Sequence, residues 1–380
     1  MKHPNSLLRL GAIATAAALV LSACGSTDDV PAATGDDTAV CDLKLAYLGP
    51  LTGPAANLGL NMTGGIKVAL DEYNAENADC PVTVEEFDSQ GDPEKATPLA
   101  SEIVQDSKVI GLVGPAFSGE TEATGPTFAE AGLATVSPSA TNVTLSQNGW
   151  DTFHRVLGTD GPQAISAAKY ITDTVGATKV FVVDDAQEYS AGIANGVVEA
   201  LGDAFTGRDK IQVGQTDMSA TVTKAKASGA DALFYGGYYA EAGLLSKQLK
   251  AGGFKGAFVS GDGSLDPGFV EVAGAEGAEG AALTCPCAPN PADFSADYEA
   301  LNGAAPGTYS AEAYDATNIF LQGIADGNAT REDILAWVNA YDAAGITKQL
   351  KFDETGEVAG VTIYVSLVEG GVIQPATPIE

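Results

Sequence analysis

Three short segments of the chain carry polar side chains that could bind a small charged ligand. They are 114–121 (GPAFSGET), 137–142 (SPSATN) and 260–263 (SGDG), and each follows a stretch that we predict to be a β-strand. Open α/β sheets bind their ligands beyond the carboxyl ends of the strands. These three segments are therefore our candidate binding loops.

The first two segments offer groups that suit a carboxylate. Ser118 stands at the start of a predicted helix, where free backbone N–H groups and the helix dipole favour an anion. Ser139, Ala140 and Thr141 add hydroxyl groups and a rigid backbone in the second segment. A plainer interpretation stays open for both, because serine is a favoured N-cap and residues 137–142 also suit an ordinary polar turn.

The third segment supplies the opposite charge. Asp262 lies between Gly261 and Gly263, which leave its carboxylate accessible and allow another backbone to approach closely. In a cleft it would pair with an ammonium group, although Asp-Gly is also a common surface turn. Tyr189 and Tyr238 follow two other predicted strands and could form apolar walls with hydroxyl groups, or could pack in the interior.

The order of predicted elements places these loops in two successive α/β units with parallel sheets. The predicted strands of the first unit are 43–48, 82–87, 109–113, 133–136 and 153–156, and those of the second are 179–183, 211–214, 232–235 and 257–260.

The end of the chain follows a different pattern. It predicts further helices and then a hairpin of 349–352 with 361–368 around an Asp-Glu-Thr-Gly turn. We expect this part to complete both lobes, so that the chain crosses between them three times. The predicted lobes are 42–159 with 286–346, and 160–285 with 347–380.

The N-terminus has the pattern of an export signal. Lys2 and Arg9 precede an apolar run that ends near Val20, which is too short to span a membrane, and small residues follow. We predict a signal peptide over 1–23. The string Leu-Ser-Ala-Cys that ends at Cys24 resembles the lipobox of bacterial lipoproteins, in which the cysteine carries a lipid. An ordinary signal peptide is the alternative.

Composition limits the function classes. Residues 24–41 are too polar to order themselves and suggest a tether. The net charge of −31 disfavours nucleic acid, anionic lipid headgroups and strongly anionic substrates. His154 is the only histidine beyond the predicted signal peptide, and no Walker motif is present. The sequence therefore argues against an enzyme, and we expect no cofactor and no metal.

Four cysteines remain after Cys24, an even number that suits disulfides in an oxidising compartment. Cys41 and Cys80 open two predicted strands, and neighbouring parallel strands would bring these starts together. We therefore predict a 41–80 disulfide. Cys285 and Cys287 are separated by one proline, and either a tight local disulfide or two free thiols is compatible with the sequence.

Several segments resemble a known family in order and spacing. The segments 46–77 (AYLGPLTGPAANLGLNMTGGIKVALDEYNAEN), 111–123 (GLVGPAFSGETEA), 134–142 (ATVSPSATN) and 235–274 (YGGYYAEAGLLSKQLKAGGFKGAFVSGDGSLDPGFVEVAG) resemble the leucine/isoleucine/valine-binding proteins of ABC transporters. The resemblance covers most of 42–370. It implies a type I periplasmic-binding-protein fold, with two doubly wound α/β lobes joined by a three-crossover hinge around a cleft.

The resemblance also implies roles for individual residues. Ser118 and Thr141 match residues whose hydroxyl groups bind a ligand carboxylate, Ser139 matches a position whose backbone carbonyl accepts the ammonium group, Asp262 falls where the family often has a glutamate for that group, and Tyr189 and Tyr238 match wall aromatics. Leu58 departs from the family, which often has an aromatic residue there. The side-chain pocket is therefore shaped differently.

These implications define our functional expectation. The resemblance implies an extracytoplasmic protein, anchored through Cys24 to the outer face of the cell membrane, that delivers an α-amino acid to an ABC permease. We expect a branched-chain or other small apolar amino acid and a monomeric protein. Related proteins bind amides, urea or aromatic acids, and a ligand sensor could share the fold, so these remain alternatives.

Overall fold

The structure is a computed structural model that describes residues 41–379. In the first half of the chain, strands and helices alternate as β1 (Lys44–Gly49), α1 (Ala56–Glu76), β2 (Thr83–Asp88), α2 (Pro93–Gln105), β3 (Val109–Val113), α3 (Ser118–Glu130), β4 (Ala134–Ser137) and β5 (Phe153–Arg155). The strands form one parallel sheet in the order β2-β1-β3-β4-β5. This sheet is the centre of the first lobe.

The alternation then restarts in a second lobe. Its elements are α4 (Asp160–Lys169), β6 (Val180–Asp184), α5 (Glu188–Leu201), β7 (Phe205–Lys210), α6 (Ser219–Ala227), β8 (Ala232–Gly236), α7 (Tyr239–Ala251), β9 (Ala257–Ser260), α8 (Pro267–Ala278) and β10 (Ala282–Cys285). Strands β6 to β10 belong to a second sheet, in the order β7-β6-β8-β9-β10 from one edge inward.

The rest of the chain adds to both lobes. It contains α9 (Ala292–Asn302), α10 (Ser310–Ala325), α11 (Arg331–Asn339), β11 (Asp342–Ala344), β12 (Gln349–Lys351), β13 (Tyr364–Glu369), β14 (Val372–Ile373) and β15 (Thr377–Pro378). Strand β13 pairs antiparallel with β10 and extends the second sheet, whereas helix α10 packs on α1 of the first lobe. The prediction of two α/β lobes is confirmed.

Alternate residues of β1 are buried on opposite faces of the first sheet, so helices must cover both faces. Leu45 and Tyr47 of β1 pack in one apolar cluster with Ile66 of α1. Ala46 and Leu48, which point to the opposite face, pack in another cluster with residues of α2. A strand that is buried on both faces is continuously apolar, which is why these strands were visible in the sequence.

Three connections between the lobes meet at one place. A side chain at Gly158 would lie 2.3 Å from a methyl group of Val361 and 3.1 Å from Cβ of Pro286. These residues belong to the segments that follow β5, β10 and β12. The contact brings the three predicted crossovers together as a hinge.

Two of our strand predictions were wrong. Residues 211–214 lie outside the strand, which is β7 at 205–210. Because β7 is an edge strand that is only half-buried, its sequence FTGRDK lacks an apolar run. The predicted hairpin of 349–352 with 361–368 also does not form, because β12 pairs with β11 and β13 pairs with β10.

The crossing to the second lobe therefore comes after the turn at Gly356. Lys348 donates to the carbonyl of Val156 at 2.9 Å, and Glu357 pairs with Arg155. The boundary that we set at 346–347 remains a prediction, and these contacts favour a boundary further along the chain.

The structure joins Cys41 to Cys80 and Cys285 to Cys287 by disulfide bonds. The first bond links the segments that lead into β1 and β2, and the second encloses Pro286 in the hinge. The predicted signal peptide, most of the tether and Cys24 lie outside the described residues. Within 41–379, no helix is both long and apolar enough to cross a membrane, and no cluster of acidic, histidine and cysteine side chains could hold a metal ion.

Candidate ligand-binding cleft

The two candidate loops of the first lobe lie side by side because β3 and β4 are neighbouring parallel strands. Ser118 begins α3, and its hydroxyl oxygen accepts the backbone N–H of Asn142 at 3.2 Å. Ser118 and Thr141 are both buried. Among the described residues, the Oγ1 atom of Thr141 forms no hydrogen bond of standard geometry, and its nearest side-chain acceptor is the carboxylate of Asp160. A buried hydroxyl group without a hydrogen bond of standard geometry, beside a helix start, can donate to a ligand.

Side chains inside the second loop fix its shape. The Ser137 hydroxyl donates to the carbonyl of Pro115 at 2.7 Å and accepts the N–H of Ala140 at 3.0 Å. The Ser139 hydroxyl donates to the carbonyl of Ala116. Because these hydroxyl groups point into the protein, Ser139 and Ala140 can offer only backbone groups to a ligand.

Arg155 of β5 holds this loop from behind. Its buried guanidinium group donates to the carbonyls of Ala140 and Asn142 at 2.7 and 2.9 Å. It also forms an ion pair with Glu357, and its Nε donates to that carboxylate at 2.8 Å. We did not predict this residue as part of the site. A signal was present in the sequence, because a charged arginine lies in the predicted strand 153–156 next to the apolar Val156.

Asp262 follows β9 in the second lobe and is buried. It accepts hydrogen bonds from Gln163 and Tyr189, each at 2.8 Å, and from the hydroxyl group of Tyr309. Burial raises the pKa of Asp262, and these three donors act in the opposite direction. The side chain of Asp262 is therefore buried and fixed by three hydrogen bonds, and it does not lie in a surface turn.

The predicted aromatic walls come together across the two lobes. The ring of Tyr238 lies 4.5 Å from that of Phe117 and 5.4 Å from that of Tyr189, measured between centroids. Phe117 immediately precedes Ser118, so an apolar wall of the second lobe contacts the carboxylate loop of the first. Leu58 of α1 is fully buried in the same apolar cluster.

The lobes are in contact around these residues. Asn57 of α1 donates to Asp266 at 2.8 Å, and the side chain of Asn142 donates to the backbone carbonyl of Glu188 at 2.9 Å. Both bonds join the first lobe to the second. The structure is therefore a closed form, in which the site residues are shielded from solvent.

Two further residues at the start of α4 belong to the site and were absent from our prediction. Asp160 is buried, and its backbone N–H donates to the carbonyl of Thr141 at 2.8 Å. Gln163 contacts Asp262, as described above. Both follow the first crossover, and no pattern in the sequence indicated that this helix start would enter the cleft. Tyr309, which precedes α10, was missed for the same reason.

Glu120, in the first turn of α3, shapes the carboxylate loop. It accepts the backbone N–H of Phe117 at 2.7 Å and the hydroxyl group of Ser89. Burial raises its pKa from 4.5 to about 7. Between these two values the folded protein binds a proton that the unfolded chain has lost, so the stability that depends on Glu120 decreases as pH rises through this window.

We expect Glu120→Gln to remove this dependence. Because glutamine can both accept from Phe117 and donate to Ser89, it should mimic the protonated acid. Relative to wild type, the variant should gain up to roughly 3 kcal/mol in unfolding free energy between pH 5 and pH 8. Urea denaturation at both pH values measures this. Parallel pH profiles for the two proteins would show that Glu120 does not keep a proton in the fold.

Comparisons with known proteins agree with this architecture. Residues 42–371 match the profile of the family described as periplasmic binding protein. The leucine-specific-binding protein of Salmonella typhimurium is 33% identical over 251 residues, which are 64% of this chain and 67% of that protein.

Solved structures show the same fold. The branched-chain amino acid transporter substrate binding protein LivJ from Streptococcus pneumoniae, in complex with isoleucine, matches with a TM-score of 0.82 and 28% identity over 89% of this chain and 99% of that one. A solute binding protein from R. palustris in complex with benzoate matches with a TM-score of 0.76 and 19% identity over 88% and 97% of the two chains.

The fold and the closed cleft define a two-lobed substrate-binding protein rather than an enzyme. The chain belongs to the periplasmic-binding-protein family, and the predicted type I fold is confirmed.

Proposed function

We propose that this protein binds an α-amino acid with a small apolar side chain, such as a branched chain, and delivers it to an ABC permease. The observation that carries the proposal is that Ser118 and Thr141 of one lobe and Asp262 of the other are all buried. Phe117, which precedes Ser118, and Tyr189, which donates to Asp262, both pack against the ring of Tyr238. Hydroxyl groups and a helix start suit a carboxylate, and a buried acid suits an ammonium group.

The walls suit an apolar side chain. Phe117, Tyr238 and Tyr189 form a continuous aromatic surface beside these polar groups. Leu58 adds an aliphatic contact, smaller than the aromatic residue that is frequent in related proteins. The matched relatives named for leucine and isoleucine support a branched-chain ligand.

Export and anchoring are parts of the same proposal. The segment that ends at Cys24 supports processing as a lipoprotein, with the mature protein held at the outer face of the cell membrane by a lipid. The two disulfide bonds suit that oxidising location. The closed form would dock on the permease as a monomer, and opening of the hinge would release the ligand.

An aromatic acid is the alternative with a specific observation behind it, because a structure of the same fold holds benzoate. Such a ligand has no cation, so it would leave Asp262 buried without a charged partner, which is unfavourable. An amide or urea also lacks a cation that could pair with Asp262. Asp262 therefore favours an amino acid.

A thermal-shift screen tests the ligand class. The protein should first be unfolded, dialysed and refolded, because ligands can copurify. We expect leucine, isoleucine or valine to raise Tm by several degrees at saturating concentration, since a ligand at 100 times its Kd adds about 2.7 kcal/mol. A shift with benzoate, urea or simple amides and none with any L-amino acid would overturn the proposal.

A further inference from the structure

We infer that Tyr47 determines which side chain the ligand carries, and that its hydroxyl group binds a hydroxyl group on that side chain. This inference rests on the proposed amino-acid ligand and selects within that class, because it favours threonine over valine, which has nearly the same shape. Tyr47 lies in β1 and is fully buried. Its hydroxyl oxygen has no hydrogen-bond partner among residues 41–379.

The Tyr47 hydroxyl group lies at the carboxyl end of β1, which is the edge of the sheet that carries the binding loops. A Cβ atom at Gly49, the last residue of β1, would lie 2.3 Å from this hydroxyl oxygen and 2.6 Å from Cβ of Ala116. A Cβ atom at Gly59 would lie 3.1 Å from the same oxygen. Ala116 belongs to the first candidate loop, and Gly59 directly follows Leu58. The hydroxyl group therefore lies beside two segments that carry predicted site residues.

The second lobe contains a counterpart of Tyr47 that does have a partner. Tyr235 of β8 is also fully buried, and a Cβ atom at Gly237, two residues further on, would lie 2.3 Å from its hydroxyl oxygen. The Tyr235 hydroxyl group donates to a carboxylate oxygen of Asp185 in the same lobe at 3.4 Å. The same arrangement thus has a protein acceptor in the second lobe, and we assign the partner in the first lobe to the ligand.

The free-energy cost of an unpaired hydroxyl group makes Tyr47 selective. A hydroxyl group that loses its hydrogen bonds to water on burial and gains none in the protein is unfavourable. A purely apolar side chain leaves the Tyr47 hydroxyl group in that state, because carbon atoms cannot replace the lost water. A binding site with such a group discriminates against an analogue that lacks the matching polar atom more strongly than an apolar pocket does.

The charges around Tyr47 indicate that the matching group is neutral. Burial and the carboxylates of Glu120, Glu86 and Asp88 raise the pKa of Tyr47 well above its ordinary value. The hydroxyl group therefore keeps its proton and can either donate or accept a hydrogen bond. The same carboxylates disfavour an anionic side chain such as that of aspartate or glutamate. The side chain of threonine offers a neutral hydroxyl group and keeps a methyl group for the apolar walls.

Isothermal titration of refolded protein with L-threonine and L-valine tests this, because the two ligands differ only by a hydroxyl group in place of a methyl group. We expect wild type to bind threonine about tenfold more tightly than valine, the order of change that one buried hydrogen bond produces. Tyr47→Phe should remove this preference, mainly by binding threonine more weakly, and should bind valine at least as tightly as wild type does. The matched control is Tyr235→Phe, which removes the buried hydroxyl group of the second lobe and should keep the preference.

The results separate the two proposals. If no L-amino acid binds wild type, the proposed function fails. If an L-amino acid binds but wild type binds threonine no more tightly than valine, or if Tyr47→Phe keeps the wild-type preference within twofold, the inference is overturned while the proposed function stands. Circular dichroism shows whether Tyr47→Phe folds, and the comparison of the two ligands on wild type decides the question even if it does not.

Discussion

Replacing Asp262 by asparagine should weaken the binding of L-leucine by about 100-fold or more. The substitution keeps the shape of the side chain and can still accept hydrogen bonds from Tyr189 and Tyr309. It removes the negative charge that we place opposite the ammonium group. Loss of one partner of a buried charged pair costs about 2–5 kcal/mol, of which ~3 kcal/mol corresponds to this change in affinity.

Isothermal titration of the refolded variant measures the effect. Asp203→Asn is the matched control, because Asp203 is an exposed acid of the same lobe and should bind leucine like wild type. The assignment of Asp262 to the ammonium group is wrong if the asparagine variant keeps an affinity within threefold of the wild-type value.

Replacing Arg155 by methionine should have the largest effect on stability. The guanidinium group is fully buried, and its removal leaves Glu357 and the carbonyls of Ala140 and Asn142 without their donor. Breaking a buried ion pair from one side costs about 3–5 kcal/mol. Because the same group holds the loop that carries Thr141, leucine affinity should decrease as well.

Urea denaturation of Arg155→Met measures the loss of stability. The double variant Arg155→Met, Glu357→Met should recover part of it, since an apolar pair can replace a buried ion pair. Lys351→Met removes an exposed ion pair with Asp342 and should leave stability nearly unchanged. Equal stabilities of the Arg155 and Lys351 variants would contradict the role of Arg155.

The positions of the polar loops at strand ends could be predicted from the sequence because one topological rule applies to all of them. Parallel strands end at a common edge, and Ser118, Thr141 and Asp262 each follow a strand that could be recognised from its apolar run. The edge strand β7 was misplaced because half-buried strands carry no such run. The local sequence pattern therefore predicted where the apolar strands end and the polar loops begin, but it misplaced the edge strand of the second sheet.

The remaining site residues depend on how the chain crosses between lobes. Asp160 and Gln163 enter the cleft because α4 begins directly after the first crossover, and Tyr309 enters because α10 returns to the first lobe. Sequence periodicity predicts each helix, but it does not predict how the helix is oriented after the chain has passed through the hinge. Asp160, Gln163 and Tyr309 were therefore missed because the path of the chain between the lobes, and not a local pattern, positions them.

Comparison of L-leucine with two truncated analogues tests the central claim most directly. 3-Methylbutylamine keeps the ammonium group and the side chain but lacks the carboxylate, and 4-methylpentanoate lacks the ammonium group. If the first lobe binds the carboxylate of the ligand and the second lobe binds its ammonium group, refolded wild type should bind leucine at least 100-fold more tightly than either analogue in isothermal titration. Binding of either analogue within tenfold of leucine would contradict recognition of both charges.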